Sequence, residues 1–447
     1  MSQQTAPQRP LRILVGTFEV AGMLPDFADG FRQLGHQVTS AIAVRNRFYP
    51  DFHYDVDIGP NAGELPLPDW MRRSRSAWVR VPRGLTERLN RQRLLFGLIR
   101  RHDVFFFQWA GMSLTEGSRE FGLLRRLDKK IITMFCGSDV RSIPAYAEEF
   151  ASVATTPEWR SELMGRMNSD EFKPLRNMRR AELYSDAIYS LPNQSSLAVR
   201  PYDHAFLPID LSKYEFRIHD RAIPVIVHAP SSKAIKGTAE ILGALERLRR
   251  DGIEFELDLL QDVPNEEVKA HLSNADVVID QLFFPLHGKL GIEAMASGCA
   301  LATGNRQDLE PFPADRPIWH IDLSNIDAQL RRLLTDRDLR RKLAAEGRQY
   351  VERYHSHVAV TRRMLSRLTP AVQPERDHYP TFFTRRFQRA AGIEIPLEIQ
   401  AMTARIIRRW GLPRDVDPQG LVARGLVAGN RLGRTQRIPI WSISGVQ

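Results

Sequence analysis

The chain has 447 residues, 43% of them hydrophobic and 26% charged, with a formal net charge of +10. That length suits two or three domains, and a chain with only two cysteines, Cys136 and Cys299, is no disulfide framework. No apolar run is long enough to span a bilayer, and no zinc spacing, aromatic RNA-binding signature or helix-turn-helix pattern marks a nucleic-acid partner.

The first ten residues are polar, so no signal peptide is expected and a reducing cytoplasm fits. Residues 11–18 form a continuous apolar strand. The loop Glu19-Val20-Ala21-Gly22-Met23 follows, then a helix over 24–34 stopped by Gly35, then a strand over 37–42. Strand, helix and strand joined by short connections predict a parallel sheet. Residues 103–108, 131–135 and 187–190 read as further strands, and 114–127 and 172–184 as helices. No G-x-G-x-x-G follows the first strand, which argues against an NAD enzyme.

After Pro201 the pattern restarts. Strands are predicted at 225–228, 254–260, 276–280 and 300–303, with helices at 239–249, 266–273 and 289–296. Residues 326–334, 337–345 and 351–368 make a helical end. The fold class is α/β: two doubly wound, Rossmann-like domains, residues 1–200 and 201–368, facing a cleft, plus an Arg-rich extension, residues 369–447. In that extension residues 396–410 read as a helix, with Pro at its start and Gly411 just past its end.

Charge is uneven. Residues 71–101 carry net +9 and residues 375–447 net +6, so the remainder is near −5. Local basicity points to a local anionic partner. In 71–101 the arginines interleave with Trp78, Leu85, Leu89, Leu94, Leu95, Phe96, Leu98 and Ile99, and 381–389 mixes aromatics with arginines. Basic amphipathic helices lie in the membrane interface, so the expected partner is an anionic membrane surface or an anionic saccharide.

Two blocks carry the chemistry. In Val278-Ile279-Asp280-Gln281-Leu282-Phe283-Phe284-Pro285-Leu286-His287-Gly288-Lys289-Leu290-Gly291-Ile292-Glu293-Ala294-Met295-Ala296-Ser297-Gly298, an apolar strand ends in Asp-Gln and a glycine loop opens a helix. A helix N-terminus offers unpaired N–H groups to a phosphate, and Glu293 one turn inside can accept from the hydroxyls of a ribose. In Val225-Ile226-Val227-His228-Ala229-Pro230-Ser231-Ser232-Lys233-Ala234-Ile235-Lys236-Gly237-Thr238, the loop brings two lysines, point charges suited to phosphate.

Together these blocks resemble the retaining glycosyltransferases of family four, also called group one, which have the GT-B fold. The likeness runs from about residue 11 to 368. It implies transfer of a sugar from a nucleotide-diphosphate donor to a saccharide or lipid-linked acceptor, with the nucleotide sugar as substrate, no cofactor and no metal. No His/Cys/Asp cluster at ligand spacing contradicts a metal-free reading. Lys236, with Lys233 second, would stabilise charge on the diphosphate; Glu293 would hold the ribose; His287 and Gly288 would offer backbone N–H groups; Gly22 would let backbone approach the phosphate. Cys136-Gly137-Ser138-Asp139 resembles the family's cleft loop, with Asp139 a candidate beside the reacting sugar. The chain departs from the pattern twice: Cys136 stands where many relatives have histidine, and Pro285 where many have the first of two glutamates. Both departures suit an alternative, a catalytically weak or inactive GT-B protein that binds a sugar nucleotide or a partner. Residues 1–200 would hold the acceptor and 201–368 the donor, on the inner face of a membrane.

Overall fold

The computed structural model describes residues 9–46, 49, 52–60, 62, 68, 73, 76–115, 117–149, 155–167, 170–284, 286–305, 313, 315–368, 376–378, 394–413, 416–432 and 440–441. Pro285, the aromatic and arginine run at 381–389, and residues 71, 72, 74 and 75 of the first basic segment lie outside them.

The first domain contains β1 (Arg12–Phe18), α1 (Met23–Gln33), β2 (Gln37–Val44), β3 (Val56–Asp57), α2 (Ala77–Arg101), β4 (Val104–Phe107), α3 (Phe121–Arg126), β5 (Lys130–Phe135), α4 (Ile143–Glu149), α5 (Pro157–Gly165), α6 (Lys173–Tyr184), β6 (Ala187–Ser190) and β7 (Asp203–His204). Its strands form one sheet in the order β3-β2-β1-β4-β5-β6-β7, every pairing parallel. The near-continuous apolar runs of β1, β4 and β5 are those of strands buried on both faces. The sheet takes in Asp203–His204, just past the division at residue 200.

The second domain contains β8 (Val225–His228), α7 (Lys233–Lys236), α8 (Thr238–Arg250), β9 (Glu256–Leu259), α9 (Asn265–Leu272), β10 (Val277–Ile279), α10 (Lys289–Ser297), β11 (Ala300–Thr303), β12 (Trp319–His320), α11 (Ile326–Thr335) and α12 (Arg337–Tyr354). Its sheet is parallel, in the order β12-β11-β10-β8-β9.

The chain then returns to the first domain. In α13 (His357–Ser366), the carbonyl of His357 and the Thr361 hydroxyl lie so close to Gly30 of α1 that a Cβ there would collide with both. Beyond it come α14 (Leu397–Trp410), β13 (Leu412–Pro413), α15 (Pro418–Ala423), α16 (Gly429–Leu432) and β14 (Ile440–Trp441). Helix α14 packs on α6: Ile399, Met402, Ile406 and Ile407 are buried with Leu175, Met178 and Ala181. A buried ion pair, Arg179–Glu182 at 2.6 Å, anchors the contact, and Arg179 also donates to Thr403 Oγ1 at 2.8 Å. This part of the extension is structural, and its apolar stripe is covered.

Two expected helices differ from the sequence reading. Of the described residues in 114–127 only Phe121–Arg126 is helical. The buried Glu120 accepts from Leu114 N and Thr115 Oγ1, which winds the preceding residues into turns. The expected break after 345 is absent: Gly347 lies inside α12 because a side chain there would press on Met295. The break comes at His355 and Ser356, where Ile209 pairs with Ser356.

Candidate active site

The C-terminal ends of β1, β8, β9 and β10 border a cleft between the domains, the usual place for a ligand in open α/β sheets. A cavity of about 350 Å³ lies there, walled by Ala21, Asn46 and Tyr49 from one side and by Lys236, Lys289 and Glu293 from the other. Leu260, Val263 and Val268 supply an apolar end. It opens into a second space of about 910 Å³, with Ala21, Asn46 and Ser231 common to both.

Glu293 projects from the second turn of α10 and is 3% exposed. It accepts from the Tyr214 hydroxyl at 2.9 Å and from Asn265 Nδ2 at 3.3 Å. Burial pushes its carboxyl pKa upward, opposed by the nearby Lys289 ammonium. A ribose hydroxyl in the cavity would meet a carboxylate already aligned.

The Lys236 ammonium lies 2.5 Å from Asp280 Oδ1, and Asp280 is fully buried at the end of β10. The other oxygen, Oδ2, accepts from Gly288 N at 2.6 Å. Asp280 therefore ties the lysine loop to the glycine loop, a role not legible in the sequence. The only local signal was an aspartate closing an apolar strand. Gly288 was expected to offer its N–H to a ligand; that N–H is spent on Asp280. The His287 ring sits against Tyr350 and His355, at centroid distances of 6.4 and 5.6 Å, and lines neither space. Burial holds its pKa well below the ordinary value. Lys233 is exposed and lines neither space.

The second ammonium in the wall belongs to Lys289, which the sequence reading passed over. It reaches Asp26 Oδ2 of α1 at 3.1 Å and the Pro208 carbonyl. Lys213 meets the other oxygen of Asp26 at 3.1 Å. One buried carboxylate of the first domain thus holds two lysines across the cleft. Gly22 has φ +70°, and a Cβ there would lie 2.7 Å from the Tyr49 ring. The close approach expected of a phosphate at Gly22 is filled by that ring.

Asp139 borders the larger space but is 2% exposed. Its carboxylate accepts from Ala110 N at 3.0 Å, Cys136 N at 3.1 Å and Gly137 N at 2.7 Å. Burial raises its pKa to about 6 against those bonds. Its visible work is to shape the loop. The Cys136 thiol donates to Gln108 O at 2.9 Å, and burial drives its pKa well up, so it is no ready nucleophile.

Glu19, also missed, borders the larger space. It accepts from Met23 N at 3.0 Å and Tyr54 Oη at 2.8 Å, and burial raises its pKa to about 7. Trp109 and Phe18 stack at 4.8 Å in the same wall, a flat aromatic face. Three Asp-x-Asp runs occur, at 55–57, 336–338 and 415–417. Asp55 accepts from Ser40 N, while Asp336 and Asp417 cap helices; none of these lines either space. Among the described residues no group of three or more His, Cys, Asp or Glu side chains is placed to hold a metal ion.

Residues 233–366 match a family model described as glycosyl transferase-like. No curated protein matches. Among solved structures, the sucrose-phosphate synthase of Thermosynechococcus elongatus is 14% identical, covering 80% of this chain and 98% of that one at TM-score 0.50. WaaG, a glycosyltransferase involved in lipopolysaccharide biosynthesis, is 13% identical over 80% of this chain and all of that one, at TM-score 0.46. The catalytic domain of starch synthase IV from Arabidopsis thaliana, bound to ADP and acarbose, is 11% identical over 80% and 100%, at TM-score 0.44. The chain has the GT-B fold, two Rossmann-like domains about a cleft, and the second carries the glycosyl transferase-like segment.

Proposed function

We propose that the chain is a glycosyltransferase that moves a sugar from a nucleotide-diphosphate donor to a saccharide or lipid-linked acceptor, with retention and without a divalent ion. The observation that carries this is the smaller cavity, where Lys236 and Lys289, the aligned carboxylate of Glu293 and an apolar end meet. The base fits the apolar end near Leu260 and Val268, the ribose Glu293, and the diphosphate the two ammonium groups. The acceptor takes the larger space, where a sugar ring can stack on Trp109.

As the glycosidic bond breaks, negative charge grows on the diphosphate, and fixed cations stabilise it more than they stabilise the bound donor. Glu19 and Asp139 are committed to backbone and phenol hydrogen bonds, so neither is a free nucleophile. The acceptor hydroxyl then attacks on the face the nucleotide leaves, and a leaving phosphate oxygen takes its proton. Asp280 acts as a positioning residue through Lys236 and Gly288.

The test is a thermal-shift screen with UDP, GDP, ADP and their sugars, since a ligand of the native state raises its apparent stability. One nucleotide class should stabilise the protein, and Glu293→Ala should cost tenfold to a hundredfold in its affinity, about 1.5–3 kcal/mol. Full-strength binding by that variant removes the assignment. The Lys236–Asp280 pair favours a second reading, binding without turnover, because it leaves the cavity less positive. Failure of the purified protein to hydrolyse or transfer any donor it binds would select that reading.

A further inference from the structure

Helix α2 runs for 25 residues, and its last turns are anchored: Leu98 and Ile99 are buried with Leu14, Phe105 and Phe107. The preceding turns leave large apolar side chains open. Trp78 is 90% exposed, Val81 61%, Leu85 58%, Leu89 45% and Phe96 52%. At 100° per residue these five fall within an arc of about 80°, a straight row about 27 Å long at 1.5 Å per residue. Isolated exposed apolar residues need no explanation; a row of this length does.

The charges around the row identify what covers it. The helix holds seven arginines and one acid, Glu87. On the helical wheel Arg88 flanks one side of the row and Arg93 and Arg100 the other, while Glu87 lies opposite. Exposed arginines beside an apolar stripe bury their stems and keep their guanidinium groups at the level of a phosphate plane. A second copy of the helix would bring arginines against arginines. Among the described residues of the other basic segment, the apolar side of α14 is covered by α6. We propose that α2 docks on an anionic lipid bilayer, with the Trp78–Phe96 row in the interface and the flanking arginines on lipid phosphates. Exposure and charge alone carry this docking surface, apart from the catalytic reading.

The test is flotation of the full chain with vesicles of phosphatidylcholine, and of phosphatidylcholine with about one third phosphatidylglycerol, at low and high salt. The wild type should bind the anionic vesicles about tenfold or more tightly than the neutral ones, and salt should weaken that binding. The exposed triple variant Trp78→Ser/Leu85→Ser/Leu89→Ser should keep its melting temperature and lose about tenfold in partitioning. Arg88→Glu/Arg93→Glu should lose the preference for anionic lipid, which keeps the test open if the triple variant folds poorly. No wild-type binding to anionic vesicles at low salt, or unchanged binding by both variants, overturns the proposal. So does a wild-type dimer in sedimentation velocity that the triple variant abolishes, which would give the row to a second copy.

Discussion

Replacing Lys236 with methionine tests whether the lysine braces the cleft as well as serving it. Its ammonium lies 2.5 Å from Asp280, with side-chain exposures of 13% and 0%. Removing the cation leaves a buried carboxylate with, among the described residues, only the Gly288 N–H, and breaking such a pair from one side costs about 3–5 kcal/mol. At about 2–4 °C per kcal/mol for a domain of this size, the melting temperature should fall by about 10 °C. Asp280→Asn should cost less, about 1–3 kcal/mol, because its amide oxygen still accepts from Gly288 and the ammonium can turn into the cavity. The double variant Lys236→Met/Asp280→Asn should then recover about 1–3 kcal/mol relative to the sum of the singles. The assay is thermal and denaturant unfolding of all four proteins in the same buffer. Losses under about 0.5 kcal/mol that simply add would refute the brace. The ordering also matters for binding work: a Lys236 variant loses affinity partly through its loop, so Glu293 variants report the donor site more cleanly.

Activity should survive excess EDTA in a transfer assay with the donor found by thermal shift; loss with rescue by manganese or magnesium would reveal a metal site. Glu19 has its pKa raised by burial from 4.5 to about 7. The native state therefore binds the extra proton in that window, and stability falls as pH rises through it, by about 3 kcal/mol in all. Glu19→Gln should flatten the decline in melting temperature between about pH 4.5 and 7; an equally steep decline in the variant would assign it to other groups.

The architecture was readable because its strands are unbroken apolar runs with short connections. Val225–His228 and Ala300–Thr303 stand where the sequence put them, and Leu397–Trp410 begins one residue after its expected start. Residues 114, 115 and 117–120 were not readable, since the turns there depend on one buried carboxylate, Glu120, that any helix pattern would accept. The candidate site divides the same way. Glu293 and Lys236 stood in recognisable local blocks. The pairings did not show: Asp280, inside one of those blocks, is 44 residues from Lys236, and Asp26 is 263 from Lys289. Pairings over such separations leave no periodic trace in a single sequence. Lys236 ranked ahead of Lys233 on resemblance alone, and the turn of α7 is what separates the one facing solvent from the one facing the cavity.

The polypeptide passes between the two domains twice, and the passages lie side by side. Ile209 N donates to His355 O at 2.8 Å, and His357 N donates to Ile209 O at 3.0 Å. A single covalent tether would let one lobe swivel freely against the other. Two tethers stitched together by main-chain hydrogen bonds resist torsion and leave bending as the soft direction, so the cleft should open like a book along a spine at Ile209 and Ser356. The donor-side and acceptor-side walls would then meet in the same register at every closure.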